Sequence, residues 1–154
     1  MGFLKMEKLR CFLMVGIPAS GKSSYSRQLA STSNAKIIST DLIREKIYGD
    51  ANYQGTWKNI EVEIYKLMKK YIKKNISFIV DATNTKKEHR APLLKFSDSI
   101  EWVCYWLDTD LQICKERNLE RLRTVPNNVI DNMHYQLIKT PPRLSEGFSR
   151  IFKI

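Results

Sequence analysis

No stretch of this chain stays apolar for long. The longest such run, Cys11 to Val15 extended to Ile17, is strand-sized and falls far short of the roughly 18–20 residues that span a bilayer. The opening residues Met1-Gly2-Phe3-Leu4-Lys5-Met6 hold no apolar h-region and no small-residue cleavage site. Gly2 is not followed by a myristoylation pattern, because Met6 stands where Ser or Thr is wanted. Cysteine is scarce: Cys11, Cys104 and Cys114 are the only three, they lie in apolar surroundings, and none forms a CxxC. Histidine is scarcer, with His89 and His134 far apart. Neither a disulfide framework nor a structural zinc site is expected, and a reducing cytoplasm is the expected compartment. Repeats, low-complexity tracts and Gly/Ser linkers are absent as well. Acidic residues are few, 16 against 26 Lys and Arg, which leaves a net charge of +10. That surplus favours polyanionic partners but bears on association, not on fold.

What is present fits one soluble globular domain. The chain has 154 residues, 43% hydrophobic and 27% charged. A chain of that size buries enough surface to fold without staples.

Short apolar runs alternate with helical periodicity. Leu9 to Val15, Lys36 to Thr40, Ile76 to Val80, Ile100 to Leu107 and Gly147 to Ile154 read as strands. Lys22 to Ala30 has helical character, and Asp41 to Tyr48 reads as a helix closed by Gly49. Trp57, Ile60, Ile64, Leu67, Met68 and Tyr71 recur at three and four, predicting an amphipathic helix over 56–74. Thr85 with Glu88 suggests a capping box for the next helix, and Pro92 suggests a kink in it or a later start. Leu111, Cys114, Asn118 and Leu122 mark one further stripe; Ile130, Met133, Leu137 and Ile138 mark another, ended by Pro141-Pro142. Strands alternating with helices imply an α/β fold with a mostly parallel sheet of about five strands.

The sharpest motif is Gly16-Ile17-Pro18-Ala19-Ser20-Gly21-Lys22-Ser23, which fits GxxxxGK[ST] without a mismatch. Its glycines let backbone N–H groups turn inward around a phosphate, and the following helix N-terminus adds partial positive charge. Lys22 is placed to reach outer phosphates, and the Ser23 hydroxyl to ligate Mg²⁺. Gly16, Ala19, Ser20, Gly21, Lys22, Ser23 and Ser24 thus form the expected site for a nucleoside triphosphate such as ATP with Mg²⁺.

Asp41 stands at a strand-to-helix junction, where ligands gather in open α/β sheets. Arg44, three residues on, shares its helix face. A carboxylate here can take the proton of an attacking hydroxyl, and an Arg beside it can grip an anionic acceptor. The bland alternative makes Asp41 the helix N-cap and Arg44 a surface charge. Asp81, at the end of the third strand, is open to several roles: Mg²⁺ or its water shell, the acceptor, or a cap. Thr83, Asn84 and Arg90 are further candidates to line the acceptor site, with loop capping as the alternative for Asn84. Arg117 and Arg121, four apart on one helix side and followed by Arg123, suit a lid over the phosphates; a basic helix end is the plain alternative. The run Lys66, Lys69, Lys70, Lys73 and Lys74 reads as a solvated helix face rather than a nucleic-acid patch. Trp102, Tyr105 and Trp106 read as core, whereas Tyr53 and Trp57, beside Gly55, are candidates to stack a base at the acceptor mouth.

With these residues in hand, the chain resembles the kinase domain of the polynucleotide 5′-hydroxyl kinases. The likeness rests on Gly16 to Ser24, on Ser39-Thr40-Asp41-Leu42-Ile43-Arg44, on Asp81-Ala82-Thr83-Asn84 with Arg90, and on Arg117-Asn118-x-x-Arg121 before Val125-Pro126. It implies a P-loop kinase three-layer sandwich with an Arg-bearing lid, spanning 1–154 as a single domain with no room for a phosphatase domain. It implies transfer of a γ-phosphate from ATP or another triphosphate to a 5′-hydroxyl end of RNA or DNA. Under it, Lys22, Asp41 and Arg121 are the catalytic group, with Asp41 as general base. Arg117 and Arg121 touch the donor. Asp41, Arg44, Asp81, Thr83, Asn84 and Arg90 form the acceptor side, with Arg44 on the acceptor's 3′-phosphate. One departure stands. Ala82 separates Asp81 from Thr83-Asn84, where phage members have Asp directly before Thr-Asn. Asp-Ala-Thr-Asn is common in related P-loop kinases with other acceptors. A small-molecule kinase, a kinase of a tRNA-linked acceptor, a toxin-like kinase and a non-enzymatic nucleotide switch therefore remain as alternative readings. Oligomeric state is left open.

Overall fold

The computed structural model describes residues 7–51, 53, 55–122 and 124–154. Five strands, β1 (Leu9–Val15), β2 (Lys36–Ser39), β3 (Phe78–Asp81), β4 (Ile100–Trp106) and β5 (Phe148–Lys153), form one sheet in the order β2-β3-β1-β4-β5. Every pairing in it is parallel. Among the described residues six α-helices accompany the strands: α1 (Lys22–Ser33), α2 (Thr40–Tyr48), α3 (Trp57–Lys73), α4 (Lys87–Leu94), α5 (Leu111–Leu119) and α6 (Asn127–Lys139). This is the P-loop kinase fold that the sequence leads one to expect.

Alternation along the strands explains the layers, because successive side chains point to opposite faces. Cys11, Leu13 and Val15 of β1 join Phe78, Val80, Trp102 and Cys104 on one face. Against that face pack Ile60, Ile64 and Met68 of α3, Leu93 of α4, Cys114 of α5, and Ile130 and Leu137 of α6. Phe12, Met14, Ile79 and Val103 point to the other face, where Leu29, Tyr25 and Ala30 of α1 cover them beside Tyr105 and Phe152. Central strand β1 is buried on both faces and so reads as a continuous apolar run instead of an alternating one. The three cysteine thiols are free and buried.

Several local expectations are revised. The Thr85–Glu88 capping box does not form: the N-cap of α4 is Lys86, one residue later, and the Thr85 hydroxyl donates to Gln136 Oε1 of α6 at 2.9 Å. Pro92 sits inside α4, which continues only to Leu94. Leu122 lies past the end of α5 and is fully exposed, and Ile138 of α6 is also exposed. The α6 stripe is Ile130, Met133 and Leu137; Ile138 lies one residue, about 100°, off it. The lysines of α3 are exposed, as expected of a solvated face. No described helix is long and apolar enough to cross a membrane.

Candidate active site

The C-terminal ends of β1, β2 and β3 converge on a cleft of about 590 Å³, the place where open parallel sheets bind ligands. One end of it is built by the phosphate loop between β1 and α1. Gly16 is required by space: a Cβ there would sit 2.5 Å from Ser20 Oγ and 3.1 Å from the Leu107 carbonyl. Gly21 is required by conformation, at φ 103°. Ala19 also has a positive φ, 64°, so the loop holds a strained turn without glycine there. Three bonds pin it: Gly16 N–H donates to the Thr83 carbonyl at 3.0 Å, Ser20 N–H to the Ile17 carbonyl at 3.2 Å, and the Thr109 hydroxyl to the Ser20 carbonyl at 2.8 Å.

Lys22 is buried, and its Nζ donates to the Ile17 carbonyl at 2.9 Å, folding back over its own loop. Burial pulls its pKa down from 10.5 to about 8, while the carboxylates of Asp81 and Asp41 oppose that drop. The Ser23 hydroxyl donates to Asp81 Oδ2 at 3.1 Å. Burial raises the Asp81 pKa, opposed by Lys22 and by the Ser23 bond. Asp81 therefore lies against the phosphate-loop serine and lysine, which favours the cation side among its open roles. A hydroxyl beside a carboxylate is a fitting half-shell for Mg²⁺, which completes its octahedron with phosphate oxygens and water. Among the described residues no group of three His, Cys, Asp or Glu gathers into an all-protein metal cage.

Asp41 and Arg44 line the same cleft. The capping role falls to Ser39, whose side chain accepts from Leu42 N–H at 3.3 Å, so Asp41 is not spent as the N-cap. Its Oδ1 meets Arg44 Nη1 at 3.3 Å. Arg44 is sunk to 13% side-chain exposure while Asp41 keeps 42%, so the carboxylate stands open at the wall where the guanidinium is embedded.

Thr83 and Asn84 also line the cleft. Asn84 has a φ of 49°, and its Nδ2 donates to the Met14 carbonyl at 2.8 Å. Arg90 is placed differently from expectation. Its side chain has no exposed surface, and Nε donates to Glu146 Oε1 at 2.9 Å. Nη1 donates to the Asn84 carbonyl at 2.9 Å and Nη2 to the Thr140 carbonyl at 2.7 Å. A guanidinium satisfied in this way braces the Asn84 loop from behind and does not face an acceptor.

Arg117 and Arg121 both face the cleft, though not from one helix side. Arg117 is in the last turn of α5; Arg121 follows the helix end. Buried Asn118 makes this possible, donating from Nδ2 to the Val125 carbonyl at 2.7 Å and accepting from Val125 N–H at 3.0 Å. That two-way clamp turns the chain back, and Arg121 lines the same cleft as Lys22, near enough for its charge to bear on that lysine. Arg123 lies outside the described residues.

Two stacked rings also line the cleft. Trp57, a candidate from the sequence, stacks on His89, which no spacing signal singled out: their ring centroids are 4.3 Å apart at 20°. Both line the cleft. Val125, Val129 and Met133 line it too. Tyr53 does not reach it; it is exposed and meets Tyr48 edge-on at 4.8 Å.

The AAA domain family matches residues 12–140. The L-seryl-tRNA(Sec) kinase of Methanococcus maripaludis is 30% identical over 141 residues, covering 84% of this chain and 52% of that protein. The chain thus spans about half the length of this curated relative. Among solved structures, a chain of the Pnkp1/Rnl/Hen1 RNA repair complex superimposes with a TM-score of 0.75 at 19% identity, over 88% of this chain and 46% of that one. A gluconokinase from Sinorhizobium meliloti 1021 gives 0.66 at 17% identity, over 97% and 83%. These two structural likenesses speak to the fold.

Proposed function

This chain belongs to the AAA domain family, and we propose that it is a phosphotransferase moving the γ-phosphate of ATP, or another nucleoside triphosphate, to a hydroxyl at the 5′ end of RNA or DNA. One observation carries the reading: Asp41 and Arg44 share a cleft with Lys22 and Ser23. A nucleotide switch needs the phosphate loop alone, whereas a transferase needs a base and an acceptor clamp facing it.

Lys22 leaves the Ile17 carbonyl for the outer phosphates and regains a counter-charge there. Ser23 and Asp81 would hold Mg²⁺, which when bound neutralises phosphate charge. Asp41 accepts the proton of the attacking hydroxyl, and Arg44 beside it holds an anionic group of the acceptor. Arg117 and Arg121 close from the lid side and stabilise charge on the phosphoryl group in flight. The surplus of ten positive charges favours a polyanionic acceptor.

A second reading has its own support. The similarity to an L-seryl-tRNA(Sec) kinase over most of this chain favours a hydroxyl carried on tRNA. Both are tested by one acceptor screen with γ-labelled ATP, comparing 5′-hydroxyl oligonucleotides with 3′-hydroxyl or 3′-phosphate ends, aminoacylated tRNA, nucleosides and sugar acids. Label on oligonucleotides supports the first reading and label on aminoacyl-tRNA alone the second. Label only on sugars overturns both.

A further inference from the structure

The cleft changes character along its length. At the phosphate loop it is polar and cationic. Its lining also holds an aromatic and apolar set: the stacked rings of Trp57 and His89, with Val125, Val129 and Met133 lining the same space. The chain brings Trp57 and His89 there from separate elements. Trp57 opens α3, which is tied to α2 by Asn59 Nδ2 donating to the Tyr48 hydroxyl at 3.2 Å. His89 lies in the first turns of α4.

This aromatic wall is not on the side reserved for the donor. A second cavity, about 320 Å³, adjoins the phosphate loop and shares Gly21, Ser24 and Arg117 with the main cleft. It holds none of Asp41, Arg44, Trp57 or His89. The paired rings line the main cleft alone, and Trp57 sits on the helix that packs against α2, the helix of Asp41 and Arg44.

We propose that the Trp57–His89 pair is a stacking platform for the nucleobase next to the accepting hydroxyl. This makes the acceptor a base-bearing RNA or DNA end rather than a sugar acid. The inference rests on the phosphotransferase reading above and narrows its acceptor. A planar π-face is what a base offers regardless of sequence, and such contacts serve single-stranded ends. A polyhydroxylated sugar would set hydroxyls against apolar side chains with no partners for them. Burial and nearby Lys86 lower the His89 pKa, opposed by Glu61 and Glu88, which favours the uncharged imidazole in the stack.

The test needs two acceptors that differ in one group: a short 5′-hydroxyl oligonucleotide with a 3′-phosphate, and the same oligonucleotide made abasic at its 5′ residue. With wild-type protein, the abasic acceptor should raise KM by roughly 10-fold or more, the size of one aromatic stack. Trp57→Ala should raise KM on the intact acceptor by a similar factor and erase the difference between the two. Trp57→Phe should restore most of it. Tyr53→Ala, off the cleft, serves as the control. Equal KM values for both acceptors with wild-type protein overturn the platform, as does discrimination that survives Trp57→Ala in a variant with a native circular dichroism spectrum. Calorimetric binding of the same two oligonucleotides separates the two claims. Discrimination in binding without any transfer leaves the platform standing and sinks the kinase reading; transfer without discrimination does the reverse.

Discussion

The two ends of the cleft are built in opposite ways. The proposed donor end is framed by the backbone of one contiguous loop, to which Lys22 and Ser23 add chemistry from the loop and Asp81, Arg117 and Arg121 from elsewhere. The proposed acceptor end is made by side chains from α2, α3, α4 and α6, brought together only by folding. A backbone site is rigid and generic; a side-chain site is adjustable, and specificity is set there. Likeness to a gluconokinase and to an RNA repair complex in one fold is what such a division allows.

Breaking the two ends separately should give different losses. Asp41→Asn is expected to lower kcat by about 10²–10⁴-fold while ATP still binds by calorimetry. Lys22→Met should weaken both binding and turnover. If Asp41→Asn also abolishes ATP binding, the two ends are not separable.

The next contrast sets Arg44 against Arg90, both expected at the acceptor. Arg90→Met leaves Glu146 buried without its cation and should cost about 3–5 kcal/mol of stability, read as a lower Tm. Arg44→Met should leave Tm nearly unchanged and raise the KM of an anionic acceptor instead.

Lys22 gives a pH signature at the donor end. Its folded pKa, about 8, is below its ordinary 10.5, so the unfolded chain binds more protons between these values. Stability from this group therefore rises as pH goes from 8 toward 10.5, and below 8 the buried cation costs on the order of 3 kcal/mol. Lys22→Met should raise Tm at pH 7, with an advantage that shrinks above pH 8. Triphosphate affinity in the wild type should fall over the same range, as the lysine loses its proton.

The smallest effect belongs to α3. Replacing Lys69 and Lys73 together by Gln should shift stability by no more than about 0.5 kcal/mol and leave oligonucleotide KM within about twofold. A larger rise in KM would extend the acceptor end along this helix.

The same division explains what was legible in the sequence. The phosphate loop could be read because glycine spacing is itself the backbone geometry. The central strands could be read because parallel strands buried on both faces form nearly unbroken apolar runs, and edge strand β5 because its apolar residues recur among polar ones. Asp41 with Arg44 was visible because a helix turn sets their spacing. The stacking of His89 on Trp57 was not, since 32 residues separate them and only packing of α3 beside α4 joins the rings. Arg90 misled because a buried arginine and a substrate-binding one look alike until partners are known; Glu146 and the Thr140 carbonyl are 50 or more residues away. Leu122 and Ile138 misled because periodicity does not say where a helix ends or how wide its buried stripe is.

The three free thiols are natural clocks for opening of the molecule. Burial pushes Cys11 and Cys104 up to about 12 and raises Cys114 as well, so none reacts while its cover is closed. Cys11 and Cys104 sit in the two central strands, β1 and β4, and an alkylating reagent reaches them only when the sheet itself comes apart. Cys114 lies on the buried face of α5, one turn before Arg117, and becomes reactive whenever that helix lifts. Labelling rates with and without nucleotide thus time lid opening against global unfolding in the unmodified chain.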